Sequence, residues 1–221
     1  MKQLVKYDFL VHTWGAILSV FILIPIGYAV NLPPISTYII VLVTSIITLF
    51  YYDTRANANH FLVSLPISKS SIVKSRYQSV IIFALCILIY QWIIGHVLPP
   101  FFEASNYVYS WKEIMILASL SALIAAIVIP FFYLFRSFII AAVCVLIIVF
   151  ITTFYLLGAL ITVLSMEDQD MIIFNDLDPG FVLLVEKHIP VQPFLILPLV
   201  SIVILYVSIA VSTQLFSKKD I

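Results

Sequence analysis

Long uncharged apolar segments alternate with short polar stretches along most of this chain. Residues 14–52, 77–102 and 191–217 contain no Asp, Glu, Lys or Arg. An apolar run of about 20 residues is long enough to cross a bilayer as a helix. The pattern therefore predicts an all-α integral membrane protein with six transmembrane helices. We place these spans at residues 14–30, 35–52, 78–98, 113–135, 138–164 and 192–216.

The prolines fit this pattern of spans and connections. Pro33 and Pro34 in the stretch NLPPIS cannot continue a helix, so a tight hairpin is expected between the first two spans. Pro25, Pro130 and Pro198 lie inside predicted spans, where neighbouring helices can satisfy the backbone groups that each proline frees.

Composition supports a membrane protein and limits its chemistry. The chain is 63% hydrophobic and 10% charged, whereas about a quarter of the residues in a soluble domain are charged. None of the five glycines precedes a lysine, so the phosphate-binding motif G-x-x-x-x-G-K-S/T is absent. Cys86 and Cys144 fall within predicted spans, and we interpret them as small packing residues. We expect one transmembrane domain over residues 1–221, with no metal and no cofactor on this chain.

Basic residues are concentrated on one side of the predicted bundle. Nine of the eleven fall there, namely Lys2, Lys6, Arg55, Lys69, Lys74, Arg76, Arg136, Lys218 and Lys219. The opposite side has only Lys112 and Lys187, together with most of the acidic residues. Because cytoplasmic loops carry an excess of Lys and Arg, we expect a multi-pass plasma-membrane protein with both termini in the cytosol.

The segment between the second and third spans, residues 53–77, is then a cytosolic loop. Apolar residues recur there at the spacing of one helix face, at Ala58, Phe61, Leu62 and Leu65. Pro66 ends this short helix, and Ser68 is placed to cap a new helix that leads into the third span. An amphipathic helix held between two spans suits a hydrophobic groove on another protein. The alternative is a connector whose basic residues set the topology and contact anionic lipid.

The stretch LPISKSSIVKSRY, with Asp53 and Asn57 upstream, resembles the cytosolic loop of type-two ABC exporter permeases. The six-span layout and the basic, amphipathic N-terminus are also similar to that family. The resemblance implies that the loop is a coupling helix that binds in a groove of a separate, cytosolic ABC ATPase subunit. The residues that would dock there, with Phe61 and Leu62 as anchors, are Asn57, His60, Phe61, Leu62, Ser64, Leu65 and Lys69.

The same resemblance implies the other components of the complex. ATP and Mg are expected on the partner ATPase, and a second copy of this chain or a related permease is expected to complete the transport unit. Membrane lipid and the transported substrate are the remaining partners, and nucleic acid is not expected.

The N-terminal residues 1–13 predict an interfacial helix on the inner leaflet. Lys2 and Lys6 lie on one side of a helical wheel, opposite Leu4, Tyr7 and Val11. The resemblance implies that this helix contacts the ATPase, and the alternative is an anchor that binds only the lipid surface.

The extracellular segment, residues 165–191, begins acidic and then becomes apolar. The resemblance implies short re-entrant helices here that close the outer mouth of the pathway, with Phe181, Val182, Leu184 and Val185 as the outer gate. The stretch NDLDPG is similar to the start of a calcium loop. However, the twelfth position counted from Asp176 is Lys187, where such a loop needs glutamate, so calcium is disfavoured.

Ionisable residues are almost missing from the predicted spans, which disfavours an ion-driven carrier. We expect the hydroxyl side chains in the spans to bridge helices, namely Thr44, Ser45, Thr48, Ser119, Ser121, Thr152 and Thr153. The expected function is the permease subunit of an ATP-driven exporter of amphipathic or hydrophobic substrates. The chain is similar to small bacterial permeases that export peptides such as phenol-soluble modulins or antimicrobial peptides, while lipid or drug export stays open.

Two other functions are weighed against export. A non-transporting membrane anchor or sensor subunit is compatible with the same cytosolic loop. An intramembrane enzyme is disfavoured, since neither H-E-x-x-H nor G-x-S-x-G occurs in the chain.

Overall fold

The structure is a computed structural model that describes residues 13–30, 32–55, 67–97, 109–165 and 177–218. These residues form seven helices and no strand. We number them α1 (Thr13–Ala29), α2 (Pro34–Arg55), α3 (Lys69–Val97), α4 (Trp111–Leu134), α5 (Phe138–Ser165), α6 (Leu177–His188) and α7 (Pro193–Ser217). The predicted all-α architecture is confirmed for the described part of the chain.

Five of these helices, α2, α3, α4, α5 and α7, are long and apolar enough to cross a membrane. They confirm a multi-pass membrane protein. The first helix, α1, has 17 residues and is shorter than these five, and its apolar part is Val20–Ala29. The count of six spans therefore stays a prediction.

The structure describes both ends of the predicted loop between α2 and α3. Ser68 caps α3, as its Oγ accepts a hydrogen bond of 3.2 Å from the backbone N–H of Ser71, which confirms the predicted cap. From there α3 continues for 29 residues without a break, as expected of the helix that leads into the third span, and residue 78, where we placed the start of that span, lies inside α3. The helix bounds narrow the loop from residues 53–77 to residues 56–68, of which 56–66 lie outside the described residues.

Local signals explain the other helix ends. Pro34 opens α2, where its missing N–H costs nothing because the first turn has no intrahelical acceptor. Ser110 and Glu113 form a capping box at the start of α4, with 2.9 Å between Ser110 N and Glu113 Oε2. Arg136 lies in the three-residue join between α4 and α5, as the sequence predicted.

The central helix of the bundle is α4, which contacts α2, α3, α5, α6 and α7. Its inner face is buried through Leu117, Ala125 and Ile129. By contrast, α5 and α7 expose many large apolar side chains, as expected of helices that face lipid or another membrane protein. Cys86 is exposed, so its predicted packing role is wrong, and Cys144 is half-buried.

Consecutive spans run in opposite directions, so the bundle has two distinct ends. The Arg76 end contains Asp53, Arg76 and Phe216, which come from α2, α3 and α7. The Asp178 end contains the start of α2, Gln91 of α3 and the whole of α6. Among the described basic residues, only Lys112 and Lys187 belong to the Asp178 end.

Most hydroxyl groups in the spans bond within their own helix. The side-chain hydroxyl donates a hydrogen bond to the backbone carbonyl four residues earlier at five positions, namely Ser45, Thr48, Ser119, Thr152 and Thr153. The prediction that these residues bridge helices is therefore wrong, because the carbonyl one turn back is always within reach. Ser121 differs, since its side chain also contacts the phenol of Tyr38 on α2.

Candidate functional site

A buried ion pair joins the two helices that flank the 56–68 connection. Nη2 of Arg76 lies 2.7 Å from Oδ2 of Asp53, and both side chains are 1% exposed. Asp53 belongs to the last turn of α2, and Arg76 lies two turns into α3. Because neither charge has access to water, the pair fixes the two helices to one another where the connection leaves and rejoins the bundle.

Tyr77, the next residue of α3, links that helix to α7 and α4. Its hydroxyl lies 2.6 Å from Ser208 Oγ and 2.8 Å from Ser212 Oγ, both on α7. Ser208 in turn donates to the carbonyl of Ala126 on α4, at 2.6 Å. All of these hydroxyls are buried, so they form an interhelical polar network in apolar surroundings.

Lys69 is the one predicted docking residue that the structure describes. Its Nζ donates to the carbonyl of Ser217 at 3.3 Å and lies 5.8 Å from the centre of the Phe216 ring. A cation is favourable there, because the C-terminal carbonyls of α7 carry partial negative charge. The other predicted docking residues, Asn57, His60, Phe61, Leu62, Ser64 and Leu65, lie outside the described residues.

Aromatic rings pack next to the Asp53–Arg76 ion pair, at the same end of the bundle. Phe50 of α2 stacks on Phe132 of α4, with 4.4 Å between ring centres, and meets Tyr133 edge-on. Tyr133 also contacts Phe216 of α7. Contacts at the Arg76 end thus join α2, α3, α4 and α7. The predicted interfacial residues Lys2, Leu4, Lys6, Tyr7 and Val11 lie outside the described residues.

At the Asp178 end, a single peptide bond is held from both sides. The N–H of Ile35 donates to Oδ1 of Asp178 on α6, at 2.8 Å. The carbonyl of Pro34, on the same peptide, accepts a hydrogen bond of 2.6 Å from Nε2 of Gln91 on α3. Asp178 therefore caps the N-terminus of a helix to which it does not belong, and it joins α6 to α2.

The described residues around Asp178 provide it with no positive charge. The side chain is fully buried, and its Oδ2 has no hydrogen-bond partner within the described part of the chain. Burial is the main cause that raises the pKa of Asp178 to about 7, and the nearby carboxyl of Glu113 adds to it. The hydrogen bond from Ile35 opposes this rise. Lys112, the nearest basic residue of α4, pairs with Glu186 at 2.8 Å instead.

The predicted outer-gate residues all lie on α6. Phe181 and Val182 are buried, while Leu184 and Val185 are half-buried against the core. The apolar patch of the sequence is therefore the packed face of one short helix that contacts α4 and α5. Its role as a gate stays a prediction.

An apolar groove leads toward this helix. It runs between α2, α4 and α5 along Ile39, Val128 and Val149, with Thr152 and Thr153 as its polar lining. A second hollow shares Ile39 and Thr153 with it and continues to Leu177 and Phe181 of α6. The two hollows therefore lie next to one another, and the second lies toward the Asp178 end.

Family comparison decides what kind of protein carries these features. A family model described as "ABC-2 family transporter protein" matches residues 3–217. The chain belongs to the ABC-2 family of transporter proteins. It is the membrane permease component of an ABC transporter and not itself catalytic, and its family implies a partner ATPase subunit. Neither a curated protein nor a solved structure matched the chain.

The ABC-2 permease holds no candidate metal centre in its described residues, where no group of three His, Cys, Asp or Glu side chains converges. The carboxylate of Asp178, from the calcium-like stretch, is used to cap α2. Asp176 lies outside the described residues.

Sequence reasoning missed the residues that join the helices of this ABC-2 permease. We interpreted Arg76 as a topology signal and as part of the family-like loop stretch, and Asp178 as part of an acidic, calcium-like stretch. A signal was present for the Tyr77 network, since Ser208 and Ser212 are four residues apart and face the same way on α7. Nothing in the sequence specified that Tyr77 lies opposite them.

Proposed function

We propose that this permease exports an amphipathic or hydrophobic substrate from a bacterial cell, driven by an ATPase that binds residues 57–69. The observation that carries the proposal is the anchoring of both ends of the 56–68 connection. A partner that moves this segment acts directly on α2 and α3 through Asp53 and Arg76. It acts on α7 through Lys69 and Tyr77.

Charge distribution supports the orientation that this mechanism needs. The Arg76 end carries Arg55, Lys74 and Arg136 in addition to Lys69, whereas the Asp178 end has Lys112 and Lys187. By the positive-inside rule the Arg76 end faces the cytosol, where an ATPase has access to the connection. The Asp178 end then faces outward, and α6 lies at the outer mouth. We propose that α1 also crosses the membrane, which gives six spans. An even number of spans places both termini in the cytosol.

The lining of the groove supports an apolar or amphipathic cargo. Its walls are aliphatic, and Thr152 and Thr153 are its polar side chains. Such a surface suits the apolar face of an amphipathic peptide better than a sugar or an inorganic ion. Phenol-soluble modulins and antimicrobial peptides, which the small bacterial permeases similar to this chain export, are the cargo that we propose. A second copy of this chain, or a related permease, completes the pathway.

Docking is tested by substitution at the proposed anchor Phe61. Phe61→Asp places a charge on the apolar face of the docking segment and is expected to abolish co-purification of the ATPase subunit with the full-length permease. Phe61→Leu keeps the apolar surface and is the matched control, for which co-purification is expected to persist. Normal ATPase binding by Phe61→Asp overturns the docking assignment.

Transport is tested separately in inside-out vesicles that contain the intact complex. ATP is expected to drive accumulation of a fluorescent amphipathic helical peptide, and a non-hydrolysable ATP analogue is not. Accumulation should be lost when the permease is omitted. ATP-independent accumulation, or accumulation without this chain, contradicts the proposed export function.

A further inference from the structure

Asp178 is placed where a carboxyl group decides whether α6 stays attached to the bundle. It lies in the first turn of α6 and is fully buried. Through Oδ1 it accepts the backbone N–H of Ile35, one of the first-turn groups of α2 that have no intrahelical acceptor. Loss of this contact would expose the N-terminus of α2 and leave α6 without its polar attachment to that helix.

Among the residues that the structure describes, no positive charge compensates an ionised Asp178. In the described chain it forms no salt bridge, and its Oδ2 has no hydrogen-bond partner. An isolated buried carboxylate is costly, whereas a neutral carboxyl is tolerated. The local geometry therefore favours a carboxyl group that carries a proton while α6 is in place.

The groups that face Asp178 from the surrounding helices also favour a protonated carboxyl group. Tyr28 of α1 and Glu113 of α4 both interact with it electrostatically. In its first half α2 has no charged side chain, and α5 has none along its length. Gln91 of α3 is neutral and bonds Pro34. On α6 itself Glu186 pairs with Lys112, and Lys187 and His188 are exposed in the last turn.

We propose that Asp178 is a proton-binding residue that holds α6 against the N-terminus of α2 when protonated and releases α6 when ionised. The proton resides on Oδ2, and Oδ1 keeps the hydrogen bond from Ile35. Release moves Asp178 into water, where an ionised carboxylate is stable. The proposal rests on the gating role of α6 proposed above. It adds that the gate closes when Asp178 takes up a proton.

The pKa of Asp178 sets the direction and range of the effect. Burial raises this pKa to about 7, above the ordinary value of 3.8, so the proton is bound more tightly in the attached state than in water. Attachment of α6 is therefore strongest at acidic pH and weakens as the pH rises through 7. Between the ordinary value of 3.8 and about 7 the ratio of attached to released α6 falls by up to about tenfold per pH unit, and it levels off above 7, where the carboxyl group is ionised in both states.

The test measures how accessible the buried face of α6 is as a function of pH. Val182→Cys is introduced into the full chain after Cys86 and Cys144 are replaced by alanine, and it is labelled in detergent with a water-soluble maleimide. Val191→Cys, at an exposed position, is labelled in the same buffers as the reference. The ratio of the two rates cancels the rise in thiolate reactivity with pH. It is expected to increase severalfold between pH 6 and pH 8, values chosen as about one unit on either side of the pKa.

Two substitutions assign this rise to Asp178. Asp178→Asn cannot ionise and is expected to show a low ratio at every pH. Glu113→Gln retains the capping side chain but removes the repelling charge, so the midpoint of the rise is expected to move to lower pH. Lys112→Met removes the neighbouring salt bridge and is the control, for which the midpoint is expected to stay unchanged.

A flat ratio in the parent, or an unchanged rise in Asp178→Asn, overturns the proposal. If Asp178→Asn does not fold, the shift in Glu113→Gln still decides, since an unmoved midpoint rejects the assignment. The measurement needs neither ATPase nor substrate. A negative result therefore rejects the proton-linked contact and has no bearing on the docking and transport tests. Failure of the docking or transport tests likewise has no bearing on the accessibility of α6.

Discussion

Arg76 and Asp53 are separated by the whole connection between α2 and α3, yet their side chains meet at 2.7 Å away from water. The pair lies at the base of the proposed docking segment. It gives the two helices one fixed geometry at that end, because an alternative packing would leave one charge buried without its partner.

Loss of one partner of this pair should therefore destabilise the protein more than loss of both. Arg76→Met leaves Asp53 charged and buried, and we expect it to lower the free energy of unfolding by about 3–5 kcal/mol. The double substitution Arg76→Met with Asp53→Leu should recover most of this loss. Thermal unfolding of the purified permease in detergent checks both. Equal destabilisation by the single and double substitutions would contradict the buried ion pair.

The Tyr77 network should contribute less to the free energy of unfolding than the Asp53–Arg76 ion pair. Tyr77→Phe removes the hydroxyl that contacts Ser208 and Ser212, while Ser208 keeps its bond to the Ala126 carbonyl. The expected loss is roughly 0.6–1.7 kcal/mol, the range of interhelical hydrogen bonds in membranes. Tyr206→Phe on the same α7 is the matched control, since Tyr206 is 70% exposed and its loss should not change the unfolding temperature.

Close packing of α1 on α2 depends on the absence of a side chain at Gly27. An added Cβ there would lie 2.7 Å from Oγ1 and 2.9 Å from Cγ2 of Thr37. We expect Gly27→Ala to cost about 1–3 kcal/mol of stability through overpacking. A further Thr37→Ala substitution should relieve the clash and restore part of the stability.

Gly158 on α5 provides the control for this prediction. A Cβ at Gly158 meets nothing within 4 Å. Gly158→Ala should be neutral or slightly stabilising, because alanine is the better helix former. If both alanine substitutions have the same effect on thermal unfolding, α1 does not pack on α2 as described.

Asp178 should leave a signature in the pH dependence of stability. Its pKa in the folded protein is raised above the unfolded value of 3.8 to about 7. Its contribution is therefore fully present below about pH 4 and is lost as the pH rises through 7. The unfolding temperature of Asp178→Asn relative to the parent is expected to increase over this interval. A difference that stays constant with pH would show that Asp178 does not titrate in it.

Much of the architecture could be predicted from the sequence. Uncharged apolar runs are long because the hydrocarbon core is thick, so the positions of α2, α4, α5 and α7 were found within a few residues. The start of α3 after Ser68 was predicted, but we placed the boundary of the third span about nine residues later, after the last charged residues. Arg76 lies inside the helix, and its charge is compatible with burial only because Asp53 is there.

Some features of the candidate site could likewise be predicted from the sequence, and others could not. The apolar patch at Phe181 and Val182 was visible as a run of large apolar side chains, which burial favours in any fold. That Asp178 beside it would lie against Ile35 could not be predicted, because the two residues are 143 positions apart and no local pattern links them.

Sequence alone determined that the chain crosses a membrane, where it does so, and that its family is that of ABC permeases, because these depend on local hydrophobicity and on a family-wide pattern. Tertiary structure alone decided which polar groups are paired. Asp53 with Arg76, Tyr77 with Ser208 and Ile35 with Asp178 are contacts between distant helices, and only the packing of those helices determines which groups lose water and must find a partner.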